Sequence, residues 1–131
     1  LNLRSENFVC SVLACSSKKI KGLNAQFRGK NNSTNVLSFP SKAEKYDTKN
    51  SLKFKADADP LELGDIAIAY EVCNKEAKVS KIKFEDHVYH LIIHSVLHLL
   101  GYDHEEKINA TEMEKIEVQV LANLGISNPY L

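Results

Sequence analysis

The sequence lacks an uninterrupted apolar run long enough to cross a membrane, because charged residues and histidines interrupt every candidate. It also lacks a basic start that leads into a long apolar region, so we expect no signal peptide. Cysteine is scarce: Cys10, Cys15 and Cys73 are an odd number and show no Cys-x-x-Cys spacing. We therefore expect three reduced core thiols in a cytosolic protein.

Acidic residues are absent from one continuous part of the chain, between Asn7 and Ala43, although the net charge is zero. The same part carries six basic residues, namely Lys18, Lys19, Lys21, Arg28, Lys30 and Lys42. Most acidic residues follow from Asp57 onwards. This asymmetry predicts either a face that binds a polyanion or a lysine-rich, solvated helix, and charge alone does not separate the two.

Length and periodicity predict the fold class. The 131 residues suffice for one compact domain with a single core, and we expect residues 1–131 to form it. The predicted strands are Phe8–Cys15, Thr34–Phe39 and Leu61–Tyr70, and the predicted helices are Lys18–Phe27, Glu71–Val79, Phe84–Leu100 and Ala110–Leu124. This order indicates a mixed α/β (α+β) fold, in which a small mixed sheet packs against helices around the third helix.

Helix ends and loops are also predicted. Ser16 or Ser17 is placed to cap the first helix, and Asn109 with Glu112 fits a capping box before the last one. The mostly polar segment Ser41–Pro60 is predicted to be a long loop. The predicted buried stripe of the last helix consists of Met113, Ile116, Val120, Leu121 and Leu124.

The third helix carries a metal-binding pattern. His94 and His98 are four residues apart, so their side chains lie on one helical face. Gly101 ends the helix, because a residue without a Cβ adopts the left-handed conformation easily, and the chain then returns His104 to the same place. Three imidazoles with a fourth position left for water are the ligand set of a catalytic metal site. Zinc suits such ligands best, with nickel, iron or copper as lesser options.

For other residues near this pattern, more than one role is expected. A single histidine on an apolar helix is usually a core residue bonded to a carbonyl, but three at this spacing favour a metal site. For His87 and His90 we expect roles in supporting the ligands, in the cleft wall or in the structure. Asp103 either orients one of the imidazoles or is a solvated turn residue.

The metal chemistry points to hydrolysis. A metal held by three histidines lowers the pKa of bound water to about 7 and acts as a Lewis acid on a phosphoryl or carbonyl oxygen. The spacing matches the metzincin protease pattern H-E-x-x-H-x-x-G-x-x-H, but Ser95 stands where that pattern has the Glu general base. This difference argues against ordinary peptide hydrolysis. Arg28 suits a phosphodiester, since its planar fork binds two phosphate oxygens, although a surface charge or a helix-terminus partner is an equal alternative.

Two segments, Phe27–Lys30 with Thr34–Pro40 and His94–His104, resemble the YbeY family of bacterial endoribonucleases. Leu63–Ile66 resembles the middle strand of that family, and the resemblance covers nearly the whole chain. It implies a zincin-like, zinc-dependent endoribonuclease specific for single strands, with one Zn²⁺ per chain.

The resemblance also implies a biological setting and specific residue roles. The setting is the cytoplasm, where the enzyme processes ribosomal RNA at the 3′ end of the small-subunit RNA and takes part in ribosome quality control. The expected partners are single-stranded RNA and the small ribosomal subunit, with no membrane; the oligomeric state stays open. The metal role falls on His94, His98 and His104, and the RNA-phosphate or catalytic role on Arg28.

This sequence departs from the family in two places. The family usually has Gly where Ser95 stands, directly after the first motif histidine. It also usually begins with an additional strand and helix before the segment that starts at Phe8; we expect both to be missing here and the sheet to lack an edge partner.

Two rival functions stay open. One is a metalloprotease-like peptide hydrolase with the same spacing of ligands. The other is a ribosome-associated protein that holds zinc for structure and has no catalytic activity. The general base, and the choice between water and the RNA 2′-hydroxyl as the nucleophile, do not follow from the sequence.

Overall fold

Three strands and four helices make up the part of the chain that the computed structural model describes, residues 8–41, 61–102 and 107–131. In chain order they are β1 (Phe8–Cys15), α1 (Ser17–Arg28), β2 (Val36–Pro40), β3 (Leu61–Ala69), α2 (Tyr70–Ser80), α3 (Phe84–Leu99) and α4 (Lys107–Asn123). The predicted α+β fold is confirmed.

The sheet has the order β1-β3-β2, so β3 is its central strand. β1 runs parallel to β3 and β2 runs antiparallel to it. Ile66, Ala67, Ile68 and Ala69 of β3 are all buried, so both faces of this strand are covered. That burial explains why the segment is nearly continuous in apolar residues instead of alternating.

The contact between β3 and β2 depends on Gly64. This residue pairs with Pro40 and has a φ of 140°. A Cβ on Gly64 would lie 2.2 Å from the carbonyl oxygen of Phe39, a distance that backbone atoms do not tolerate. Glycine is therefore required where the two strands meet.

The core joins α3 to the sheet and to α4. Leu97, Leu99 and Leu100 pack with Ile66 of β3 and Met113 of α4. α3 is also in contact with β2 and α2, so it occupies the centre of the fold as predicted. No helix in the described ranges combines the length and the apolar character needed to span a bilayer.

The end of α3 is a Schellman motif. The amide of Gly101 donates to the carbonyl of His98, and the amide of Tyr102 donates to the carbonyl of Leu97. Gly101 has a φ of 101°, which fits the predicted end of the helix. Ser16 caps α1 as expected, because its hydroxyl accepts the amide of Lys19 at 3.1 Å.

Two predictions about α4 are wrong, and a third prediction concerns residues that the structure does not describe. The expected cap at Asn109 is wrong, because α4 already begins at Lys107 and Asn109 lies inside the helix. Leu124 is exposed, so the buried stripe of α4 ends before it. The predicted loop Ser41–Pro60 lies outside the described residues after Ser41.

β1 is at the edge of the sheet that the described residues form. Within the described ranges it pairs with β3 alone. Its apolar side chains are unusually accessible: Val9 is 48% and Leu13 is 49% exposed. The expected lack of a further edge partner stays a prediction, because residues 1–7 and 42–60 lie outside the described ranges.

Candidate active site

Two of the three predicted metal ligands meet on α3. The Nε2 atoms of His94 and His98 lie 2.9 Å apart, and the ring centroids are 4.5 Å apart. One helical turn separates the residues, which places both rings over the same point. The predicted convergence of these two imidazoles is therefore present.

Each ring is oriented through its other nitrogen. Nδ1 of His98 lies 3.1 Å from the carbonyl oxygen of Tyr102, which can only accept a hydrogen bond, so this nitrogen is the donor. Nδ1 of His94 donates to the carboxylate of Glu117. In the neutral rings both protons are then on Nδ1, and the lone pairs of both Nε2 atoms face each other. Two facing lone pairs at this distance repel unless a cation or a proton lies between them.

Glu117 is the residue that the sequence reasoning missed. It lies on α4, its side chain is 0% exposed, and its second oxygen is bonded to the hydroxyl of Tyr130 and lies 3.4 Å from Nε2 of His90. Burial alone raises the pKa of this carboxyl, but the hydrogen bonds from His90, His94 and Tyr130 outweigh burial and lower its pKa to about 2. A signal was available: Glu117 stands four residues from both Met113 and Leu121, inside the buried stripe.

Arg28 lines the same cavity as the two histidines. The cavity has a volume of about 490 Å³ and lies between α3 and β2, with Arg28 on its rim. Its other lining residues are Asn35, Val36, Ser38, Pro40, Leu91, His94, Ser95, His98 and Leu99. A guanidinium and two imidazoles in one cavity are a suitable set for binding and cleaving a phosphodiester.

The end of α1 is held where it presents Arg28. Gly29 adopts the left-handed conformation with a φ of 68°, and the amide of Lys30 donates to the carbonyl of Asn24. The buried amide group of Asn24 donates to the carbonyl of Asn32 at 2.9 Å. The loop after α1 is therefore tied back to the helix, so Arg28 projects from a supported position.

Glu76 supports the cavity wall at Asn35 and also contacts His87. Nδ2 of Asn35 donates to Oε1 of Glu76 at 3.1 Å, and Nε2 of His87 lies 3.0 Å from the same oxygen. His87 thus contacts the carboxylate that holds Asn35, and it is not among the residues that line the cavity. Ser95, which is 1% exposed, lines the cavity together with His94 and His98.

His104 and Asp103 lie outside the described residues, so their predicted roles stay predictions. Across 8–41, 61–102 and 107–131 the structure holds no group of three metal-binding side chains that fits an ion. The two described histidines suit zinc in their chemistry, because each turns an imidazole Nε2, a nitrogen that zinc binds, to one point. Nitrogens bound to tetrahedral zinc at about 2.0–2.1 Å are separated by about 3.3 Å. The pair at 2.9 Å needs only a small opening to reach that separation.

Comparison with known proteins identifies the family of this chain. A family model described as Endoribonuclease YbeY matches residues 2–125. The chain belongs to the YbeY family, which confirms the resemblance and the prediction of a hydrolase acting on RNA.

Individual relatives agree with this assignment. The Endoribonuclease YbeY of Jannaschia sp. (strain CCS1) is 44% identical over 130 residues, which are 99% of this chain and 81% of that protein. The Endoribonuclease YbeY of Ruegeria sp. (strain TM1040) is 46% identical over 137 residues, covering 100% and 79%. The solution structure of TM1509 from Thermotoga maritima is similar with a TM-score of 0.56 and 28% identity, covering 89% of this chain and 71% of that one.

Proposed function

We propose that this protein is a zinc-dependent endoribonuclease that cleaves single-stranded RNA, with ribosomal RNA as its substrate. The observation that carries the proposal is the shared cavity, which Arg28 lines together with His94 and His98, whose Nε2 atoms converge. The family assignment supports RNA as the substrate class.

The residues take the following roles in this proposal. His94, His98 and His104 hold one Zn²⁺, which, when bound, supplies a Lewis acid and lowers the pKa of coordinated water. Arg28 binds the non-bridging oxygens of the scissile phosphate and stabilises the charge that grows on them. Ser95 puts a small side chain in the cavity wall, which leaves room for a phosphate.

The lysines on and just after α1 bind the RNA backbone in this proposal. Lys18, Lys19, Lys21 and Lys30 are exposed, on or just after the helix that ends at Arg28. Single-stranded RNA that binds along these lysines reaches the cavity at Arg28 in this proposal. Binding through phosphates releases counterions, so RNA affinity falls steeply as salt rises.

The proposal also covers the biological setting of the enzyme. We propose processing of the 3′ end of small-subunit ribosomal RNA, work on the small ribosomal subunit and a part in ribosome quality control, in the cytoplasm. The compartment is supported by Cys10, Cys15 and Cys73, which are all free thiols.

A peptide hydrolase is the less favoured reading. Ser95 occupies the place of the protease general base, and a hydroxyl cannot accept a proton from metal-bound water near neutral pH. A closed structural zinc site is also disfavoured by Glu117, the buried carboxylate next to His94. It contacts Nδ1 of His94 and not Nε2, so it orients the ligand and does not complete the coordination.

One experiment tests the central claim. Purified parent and His98→Ala proteins are compared for metal content by mass spectrometry and for cleavage of single-stranded and double-stranded RNA. We expect one zinc per parent chain, and loss of both zinc and single-strand cleavage in His98→Ala. Zinc retained by the mutant, or RNA cleavage by a metal-free parent, would contradict the assignment. Ser95→Glu and the parent are tested against peptides in parallel, where peptide turnover by the parent without RNA cleavage would favour the protease.

A further inference from the structure

We propose that Glu117 is a positioning residue for His94, and that Tyr130 extends this support to the C-terminal segment. The inference rests on the proposed metal role of His94 and names two residues outside the predicted site. Oε1 of Glu117 accepts from Nδ1 of His94, while Oε2 accepts from the hydroxyl of Tyr130. The carboxylate therefore joins the ligand helix α3 to α4 and to the chain after it.

Packing alone does not account for a carboxylate at this position. Glu117 stands between Met113 and Leu121 on the buried face of α4, where an apolar side chain would pack without any desolvation cost. A buried ionised group is often no more stabilising than a hydrophobic one of similar volume. What the carboxylate adds is a fixed proton position, since it keeps the hydrogen of His94 on Nδ1 and turns Nε2 to the cavity.

The two ligands are oriented by different kinds of acceptor. His98 uses the backbone carbonyl of Tyr102, whereas His94 uses the side chain of Glu117. A metal-ligating histidine commonly gives its second N–H to a carbonyl or a carboxylate, and a carboxylate makes the ring a stronger donor to the metal. The orientation of His94 is therefore the one that a side-chain substitution can remove.

Tyr130 and His90 fix the carboxylate in turn. The Tyr130 hydroxyl is bonded to Oε2, and Nε2 of His90 lies 3.2 Å from that hydroxyl and 3.4 Å from Oε2. The amide of Tyr130 donates to Oδ1 of Asn128 at 2.8 Å, which shapes the turn that brings the ring back over α3. The C-terminal residues thus take part in positioning His94, although they lie far from the cavity in sequence.

The test measures metal binding and not only activity. Zinc affinity of Glu117→Gln and Tyr130→Phe is determined by competition with a chromophoric chelator, and the visible spectrum of the Co²⁺-substituted proteins reports ligand geometry. Glu114→Gln and Tyr89→Phe are the matched controls, since both residues are exposed and Glu114 lies on the same helix. We expect zinc affinity to fall about 10–100-fold in Glu117→Gln, by less in Tyr130→Phe, and not in the controls.

The outcomes separate this inference from the proposed function. A parent that binds zinc, with both variants binding it as tightly and with the parent's Co²⁺ spectrum, overturns the positioning role alone. A parent that binds no zinc overturns the proposed function as well. Thermal unfolding of the metal-free proteins is measured in parallel, because a lower unfolding temperature with unchanged zinc affinity would show a merely structural role. Tyr130→Phe keeps the test decisive if Glu117→Gln does not fold.

Discussion

Replacing Gly64 by alanine should destabilise the protein by about 2–6 kcal/mol, through two effects of one added Cβ. Gly64 has a φ of 140°, and holding a residue with a side chain there costs on the order of 1–3 kcal/mol. The Cβ would also lie 2.2 Å from the carbonyl oxygen of Phe39 and 2.9 Å from the amide nitrogen of Ser41. Both are backbone atoms, so relief requires a shift of β2, at about 1–3 kcal/mol more.

The same shift should reduce activity, because β2 forms one wall of the cavity through Val36, Ser38 and Pro40. Urea unfolding measures the stability of parent and variant, and RNA cleavage measures the effect on the site. Gly22→Ala is the matched control: a Cβ there meets no atom within 4 Å, and the residue lies inside α1. That substitution should stabilise by about 0.5–1 kcal/mol, since glycine weakens a helix interior.

A Gly64→Ala protein within about 0.5 kcal/mol of the parent, at an unchanged urea m value, would refute this reasoning. Such a result would mean that β2 moves away from β3 without loss of pairing. A second contradiction would be equal destabilisation by Gly22→Ala and Gly64→Ala, because the close approach of Phe39 exists only at the strand position.

The remaining predictions concern RNA binding and the buried thiol. Lys21→Gln should lower the slope of log affinity for single-stranded RNA against log salt by about 0.7 and leave kcat unchanged. Arg28→Lys should lower kcat by about tenfold or more, because lysine cannot make the bidentate phosphate contact that we propose for Arg28. Equal effects of the two substitutions on kcat would contradict the separate roles. Burial, with a smaller effect of Glu76, raises the pKa of Cys73 to about 11. The folded state therefore keeps this proton longer than the unfolded chain, so stability should fall between about pH 9 and 11, and Cys73→Ala should flatten that fall in urea titrations at several pH values.

Local patterns were enough to predict the secondary structure because local forces decide it here. The caps at Ser16 and Gly101 satisfy backbone groups within a few residues, and β3 has an apolar run that suits a strand covered on both faces. The expected cap at Asn109 is wrong because α4 begins earlier in the chain, at Lys107. Nearby alternatives compete at helix ends, so these bounds are the least predictable feature.

The support of the site was beyond local reasoning because it depends on contacts that are distant in sequence. Glu117 is 23 residues from His94, and Tyr130 reaches it only after the chain turns back beyond α4. A glutamate on a helix is usually solvated, and only its place between two buried residues marks this one as unusual. The pairing of Asn35 with Glu76, 41 residues apart, is hidden from sequence reasoning in the same way.

The spacing of the histidine motif is explained by more than ligand placement. Gly101, with its φ of 101°, lets the chain leave α3 so that the amide of Tyr102 bonds to the carbonyl of Leu97. The same turn brings the carbonyl of Tyr102 to within 3.1 Å of Nδ1 of His98. The residue that ends the helix therefore also fixes the tautomer of His98, which is why a glycine three residues after His98 belongs to the candidate site itself. A side chain at Gly101 would disturb the orientation of His98 even if α3 still ended at the same residue.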